Sequence, residues 1–504
     1  MPEPAQAQAS PAAAAAVPAN RITALIPGLE ARITTGMKAF DAPGLAVGIV
    51  ADDRIVYAKG FGVRGRQASA PVSPRTVFQI GSTTKAFCAT LLAIAVDRGK
   101  LAWDDRVVDV DPAFALGDPY ATREFRIYDI LAQRSGLPPY ANDFLIDLGF
   151  TPEAMMHSLR FVMPASSFRA VFTYTNITHL FGGRIAARAL GFADWPTATA
   201  QTITGPLGMA DTSFTFDGIE SAPDHALGHG WTPDGAVERP YDPGLYGVGP
   251  AGAINSTVED CAAWLRLLIA DGMFAGRRIV SEKNLAVTRV ARVGLEERIS
   301  YAMGWLLSAT PNGRVIFHNG GTGLCGAHIG FLPDKKIGMV VLTNLDNRGL
   351  ADALALEFYD RVLGNPAQDR VQRALAAATK AIETEAKNYA LPKSPAAAPA
   401  DDSILGRYAN EITGPATLAR DDGRLVMRFA HGTGHLELRP FAGPVVTVRV
   451  AMAGSAAVPA NAARVGSRYD LPGAFGSFEP GSDGRIGRFR LLVGAQSVDF
   501  AKQS

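Results

Sequence analysis

Ser82 and Lys85 stand three positions apart in Phe78-Gln79-Ile80-Gly81-Ser82-Thr83-Thr84-Lys85, at the mouth of a long apolar run. On a helix, residues i and i+3 share a face, so the lysine nitrogen can reach the serine hydroxyl. A serine is a poor nucleophile until a neighbouring base takes its proton. Lysine can act as that base once burial or a second cation lowers its pKa. The helix N-terminus would add backbone N–H groups that favour negative charge on the attacking oxygen. The same four residues also fit a bland arrangement, a helix-capping serine followed by a solvated lysine.

Two further stretches carry matching chemistry. Tyr174-Thr175-Asn176 precedes an apolar helical pattern: the tyrosine could serve as a partner base, and the asparagine could orient a substrate amide. A buried tyrosine and a capping asparagine would look alike in sequence. His318-Asn319-Gly320-Gly321-Thr322-Gly323 follows a strand-like run, and its glycines allow the backbone to approach a ligand closely. A backbone N–H from this stretch, paired with that of Ser82, would form an oxyanion hole. His318 fits a turn equally well. Gly60-Phe61-Gly62-Val63-Arg64-Gly65 matches the dinucleotide pattern G-x-G-x-x-G to the letter. The polar, proline-bearing sequence after it offers no helix N-terminus for a pyrophosphate, so it reads as a hairpin edge.

These residues need a scaffold drawn from both ends of the chain. Residues 22–37 have helical spacing, and Gly44–Val50 and Ile55–Gly60 read as strands joined by Ala51-Asp52-Asp53-Arg54. Residues 82–98 form an apolar helix ended by Gly99. Helices and loops follow to about residue 290. Strand patterns return at 301–308, 314–318, 326–332 and 337–344, with Asn312-Gly313 read as a type I′ turn, and a helix follows over 350–363. The expected division is an Ala/Pro-rich disordered segment (1–19), an α/β (α+β) unit with one sheet assembled from both its ends (20–364), a helix and linker (365–402) and an all-β unit (403–504). Short strands at regular turn spacing make that last unit a small barrel or sandwich.

Composition excludes several classes. Of 504 residues, 49 are Lys or Arg and 48 Asp or Glu, a net charge of +1 that gives a polyanion such as nucleic acid no basic surface to hold. No apolar run is long enough to span a membrane. Neither H-E-x-x-H nor a cysteine cluster is present, so no metal or cofactor is expected. The three cysteines, Cys88, Cys261 and Cys325, read as buried small side chains. Ala5-Gln6-Ala7 resembles the residue pattern around a removed leader, with a periplasmic or secreted location as the expectation and a cytoplasmic one as the alternative.

Taken together, the order Ser82-x-x-Lys85, Tyr174-x-Asn176, His318-x-Gly320 resembles the serine β-lactamase and penicillin-binding protein superfamily, in its class C-like branch of D-peptidases and esterases. Leu131–Pro138, Pro206–Met209, Pro250–Asp260 and Tyr301–Trp305 agree with that pattern. The resemblance covers about residues 22–364. It implies an antiparallel sheet flanked by helices with a mostly helical subdomain. It implies an acyl-enzyme on Ser82, with Lys85 and Tyr174 sharing acid and base duties. It further implies substrate contact by Asn176 and an oxyanion site from the N–H groups of Ser82 and Gly321. The expected substrate is a peptide or ester, with amide hydrolysis preferred, and self-association is left open; a β-lactamase, a D-Ala-D-Ala carboxypeptidase and a non-catalytic penicillin sensor are the other readings. Two departures stand out. His318 replaces the lysine of many lactamases, and Phe168-Arg169 replaces a Pro-Gly pair, where Arg169 is either a substrate carboxylate ligand or solvated. The unit beginning Leu405-Gly406-Arg407-Tyr408 resembles lipocalin-like domains attached to family peptidases.

Overall fold

The computed structural model describes residues 19–67, 70–451 and 473–503. Of the segment read as disordered (1–19), residues 1–18 lie outside them, whereas Ala19 is helical. Helix α1 (Ala19–Phe40) buries Ile22, Leu29, Ile33 and Phe40, which recur on one face at the helical period. Strand β1 (Gly44–Ala51) is buried at every position, as a strand must be when both faces of its sheet are covered. Its residues alternate between two cores. Leu45, Val47 and Ile49 pack with α1 and with α5 (Leu350–Leu363). Ala46 and Val50 face α4 (Val258–Ile269) and the interior of the molecule.

The sheet is antiparallel throughout, with order β2-β1-β8-β7-β6-β5-β4-β3. Its strands are β2 (Arg54–Gly62), β3 (Val293–Glu296), β4 (Ile299–Tyr301), β5 (Leu306–Thr310), β6 (Gly313–Gly321), β7 (Gly326–Leu332) and β8 (Ile337–Thr343). The two ends of the 20–364 segment therefore meet where β1 pairs with β8. The β1–β2 hairpin turns on Asp52 and Asp53, both at positive φ, as a type I′ turn needs.

Two strand expectations are corrected. The run 301–308 is broken into β4 and β5 by a turn at Gly304, φ +73°. The β5–β6 loop is Pro311-Asn312, because Thr310 pairs with Gly313. Proline holds φ near −65°, so the turn is not type I′.

Helix α2 (Thr84–Asp97) crosses the interior beneath the sheet, and residues 84–95 are all buried. Such a helix is apolar on every side because it is contacted on every side. Against it lie α3 (Ile177–Leu190) and α4, whose Trp264 stacks on Phe87 with ring centroids 4.0 Å apart.

Beyond α6 (Arg370–Asn388), eight antiparallel strands close a barrel in consecutive order: β9 (Gly406–Asn410), β10 (Gly414–Asp421), β11 (Arg424–Phe429), β12 (His435–Ala442), β13 (Val445–Ala451), β14 (Ala474–Pro480), β15 (Ile486–Val493) and β16 (Gln496–Lys502). Phe429, Phe500, Phe489 and Phe478 follow one another through its interior with centroids 5.1–6.1 Å apart. At the barrel mouth Phe150 of the helical lobe meets Phe429, and the barrel interior and the lobe form one continuous apolar core. Among the described residues no helix is long and apolar enough to cross a membrane.

Because Phe87 fills the space between α2 and Trp264, Phe87→Ala should cost about 3–5 kcal/mol in urea unfolding. An unchanged midpoint would show that α2 is not held from that side.

Candidate active site

A short 3-10 turn, Gly81–Thr83, carries Ser82 at the N-terminus of α2, with Lys85 in the first helical turn. Ser82 remains partly exposed whereas Lys85 is wholly buried. The Lys85 nitrogen lies 3.0 Å from Ser82 Oγ, 2.8 Å from Asn176 Oδ1 and 2.8 Å from the Ala251 carbonyl oxygen. Burial pushes its pKa down to about 7, partly offset by the negative charge of Asp143. A neutral amine has two hydrogens and one lone pair. Asn176 Oδ1 and the Ala251 carbonyl can only accept, so they take the two hydrogens. The lone pair is left for the serine O–H. A solvated lysine after a capping serine is thereby excluded.

Asn176 is the first residue before α3, yet its side chain caps nothing. Its Nδ2 donates to Asp143 Oδ2 at 2.6 Å, which fixes the amide orientation and turns Oδ1 toward Lys85. Tyr174 is half-buried, has Ser82 beside it, and lies under the Lys85 nitrogen, 4.7 Å from its ring centroid. Burial holds its phenol well above the ordinary value, so it stays protonated. Gln133 keeps the 174–176 stretch in place: Oε1 accepts from the Thr175 N–H at 2.7 Å and Nε2 donates to the Thr175 carbonyl at 3.0 Å.

The third motif lies within a strand. His318 is buried in β6, not in a turn. Its Nδ1 must donate to the Asn319 carbonyl, 2.6 Å away, so Nε2 accepts from the Tyr301 hydroxyl at 2.9 Å. Burial, with Lys85 nearby, lowers its pKa to about 3, and the ring is neutral. Strand β5 stops pairing at Phe317, and among the described residues no strand pairs with 318–321 on that side; β7 pairs on the other.

Two glycines let this strand approach Ser82. A Cβ on Gly320 would lie 2.0 Å from the Ile80 carbonyl oxygen, and one on Gly81 2.6 Å from the Gly321 nitrogen. Neither clash can be relieved by a side chain moving, since backbone atoms are involved. The contact sets the Gly321 nitrogen beside the Ser82 turn.

The structure thus brings Ser82, Lys85, Tyr174, Asn176, His318, Gly320 and Gly321 to one cleft. Arg169 is engaged within the protein while its side chain stays 34% exposed. Its guanidinium pairs with buried Asp129, at 2.6 Å, and with the Glu124 carbonyl. It keeps φ +65°, a conformation natural to the glycine that the resemblance expects there. Sequence reasoning missed Asp143, Gln133 and the hydroxyl of Tyr301. Each comes from a loop or strand end with no periodic or motif signal, although Gln133 and Tyr301 lie inside flanking blocks that had been noticed. Cys88, Cys261 and Cys325 are buried and unpaired, as expected. Among the described residues no group of three or more His, Cys, Asp or Glu side chains could hold a metal ion.

The beta-lactamase family model matches residues 29–361, well over half the chain. The chain belongs to the beta-lactamase family, whose members are generally serine hydrolases. The unguisins hydrolase of Aspergillus violaceofuscus is 27% identical over 392 residues, covering 70% of this chain and 67% of that protein. Among solved structures, the octameric penicillin-binding protein homologue from Pyrococcus abyssi superposes with a TM-score of 0.60 at 21% identity, covering 94% of this chain and 99% of that one. A class C beta-lactamase gives 0.58 at 22% identity, covering 69% and 98%. At those identities the superpositions establish the fold. In this beta-lactamase-family protein the Pyrococcus match extends over the barrel as well as the hydrolase unit, and the class C match is shorter.

The close approach of β6 to the Ser82 turn gives a prediction. Gly320→Ala must push β6 away from Ile80, and turnover should drop at least about a hundredfold. Steady-state rates and a thermal melt check this; a fully active variant would mean that the two segments need not touch.

Proposed function

We propose that this protein is a serine amide hydrolase that cleaves peptides through an acyl-enzyme on Ser82. One observation carries the reading: a wholly buried Lys85 whose nitrogen lies 3.0 Å from a partly exposed Ser82, with its pKa near 7. In the proposed cycle Lys85 takes the Ser82 proton as Oγ attacks the carbonyl carbon. The N–H groups of Ser82 and Gly321 hold the resulting oxyanion. The Tyr174 phenol, held protonated by burial and next to Ser82, gives its proton to the leaving amine and is reprotonated from the Lys85 ammonium. Water then enters by the reverse route and releases the acid.

The preference for a peptide is supported by the open side of β6. An extended substrate main chain can add to 318–321 as a further antiparallel strand. The neutral His318 adds no positive charge for the carboxylate that a β-lactam or a C-terminal dipeptide presents. Asn176, held by Asp143 on one side and Lys85 on the other, serves first to orient the base.

Two tests follow from the state of Lys85. The active form is the neutral amine, so kcat/KM should climb tenfold per pH unit below about 7 and level off above it. An acid limb centred near pH 10 would show an ordinary, solvated lysine. Lys85→Arg keeps the charge but cannot give up its proton, so it should lose roughly a thousandfold in kcat/KM, as Lys85→Ala does. Intact-mass spectrometry on a peptide library, an aryl ester and a β-lactam, with Ser82→Ala as control, reads the acylated serine directly. Activity within about threefold of wild type in Lys85→Arg would end the proposed base role.

A further inference from the structure

The loop preceding Asp143 is strained, and the group that holds it comes from the barrel. Tyr140 and Asn142 both have positive φ, +56° and +58°. For a bulky residue such as tyrosine this costs energy, and it persists only where neighbouring contacts over-determine the backbone. Between these two residues and α3 lie the links to the site. The Tyr140 N–H donates to the Tyr174 carbonyl at 2.7 Å, and Asp143 holds Asn176.

Gln496 fixes Asn142 from the opposite side. It opens β16, immediately after the tight β15–β16 turn, and is nearly buried. Its Oε1 accepts from the Asn142 N–H at 2.9 Å, and its Nε2 donates to Asn142 Oδ1 at 2.5 Å. The Asn142 amide is completed by Ser158, which accepts from Nδ2 at 2.7 Å. A primary amide is a match for this position because one side chain must both accept and donate. The barrel grips the same stretch once more, where the Thr433 and Gly434 N–H groups converge on the Leu148 carbonyl at 2.9 and 3.0 Å.

We propose that Gln496 is a positioning residue for the reaction: the barrel sets Asn142, and through Asp143 and Asn176 it sets the Lys85 amine against Ser82. The inference rests on the serine reading above and assigns the C-terminal barrel a part in the chemistry without its touching substrate. Each link is a hydrogen bond of 3.0 Å or less. Losing the first frees a strained loop whose relaxed form moves the Asp143 carboxylate away from Asn176.

The test is single-turnover acylation of the full-length protein by p-nitrophenyl acetate, followed by stopped flow and intact mass. Gln496→Met keeps the volume of the side chain and removes both hydrogen bonds. Its acylation rate constant should fall between about ten- and a hundredfold with the ester dissociation constant unchanged. In an Asp143→Asn background the same change should cost less than twofold, because the two residues act in one chain. A merely structural role would lower the melting temperature and add its effect independently in both backgrounds. Gln496→Glu sets a carboxylate oxygen against Asn142 Oδ1 and should show the same loss, which keeps the test decisive if the methionine variant does not fold. Full acylation in either folded variant, or additive losses in the Asp143→Asn background, would overturn the proposal. A wild-type protein that takes no acetyl group on Ser82 would remove the serine reading itself, and this one with it.

Discussion

The organisation of the molecule follows from burying one amine. An ammonium group without solvent is costly, and the protein meets that cost by letting the proton go. That outcome requires Lys85 to be enclosed on every side while the serine three residues earlier stays open to the cleft. Helix α2 is therefore enclosed along three turns, buried from Thr84 to Ala95 with α3 packed along it and Trp264 of α4 on Phe87, and only its C-terminal end reaches solvent. Asp143 works against full neutralisation by favouring the charged form. Desolvation and that carboxylate together leave the group balanced near neutrality, where a small environmental change shifts its protonation.

Enclosing the amine also explains why distant segments converge so tightly. The sheet closes by pairing β1 with β8, which carries β6 and β7 over α2. Strand β6 can then descend onto the Ser82 turn only if both surfaces lack side chains, and Gly81 and Gly320 supply that. Where the fold needs a left-handed backbone but has no glycine, other contacts stabilise it. At Arg169 the guanidinium is clamped by Asp129, with Arg134 on the same carboxylate. At Tyr140 and Asn142 the backbone is held by Tyr174 and Gln496.

What was legible in the sequence was whatever sits on a regular period or a short spacing. The separation of Ser82 and Lys85 is a helical repeat, so their contact is local and readable. The alternation in β1 and the apolar run of α2 gave the sheet and its central helix for the same reason. Asp143 and Gln496 could not be found that way, since their partners are fixed by tertiary closure and not by chain proximity. The break at Gly304 was hidden in a run of strand-forming residues, because a single glycine does not distinguish a bulge from a turn. Nor was the partner of Arg169 legible, because the buried Asp129 carboxylate that holds it lies 40 residues earlier.

The electrostatics of the cleft bear on what it can select. His318 is neutral because burial, with Lys85 nearby, disfavours its charged form. In the neutral form Tyr301 donates to one ring nitrogen and the Asn319 carbonyl accepts from the other. Protonating it would put a buried cation close to Lys85, and so the neutral form is doubly favoured. At this point of β6 the protein therefore presents backbone and aromatic surface in place of a charge. Tyr140, Tyr174, Phe172 and the buried Tyr301 continue it as a row of rings, with successive centroids 5.4–6.4 Å apart. Selection in the proposed reaction then falls on main-chain pairing and apolar fit, and a substrate gains nothing at His318 from a terminal carboxylate. An extended chain that passes through the cleft, with its amide flanked on both sides, satisfies those terms better than a chain that ends there.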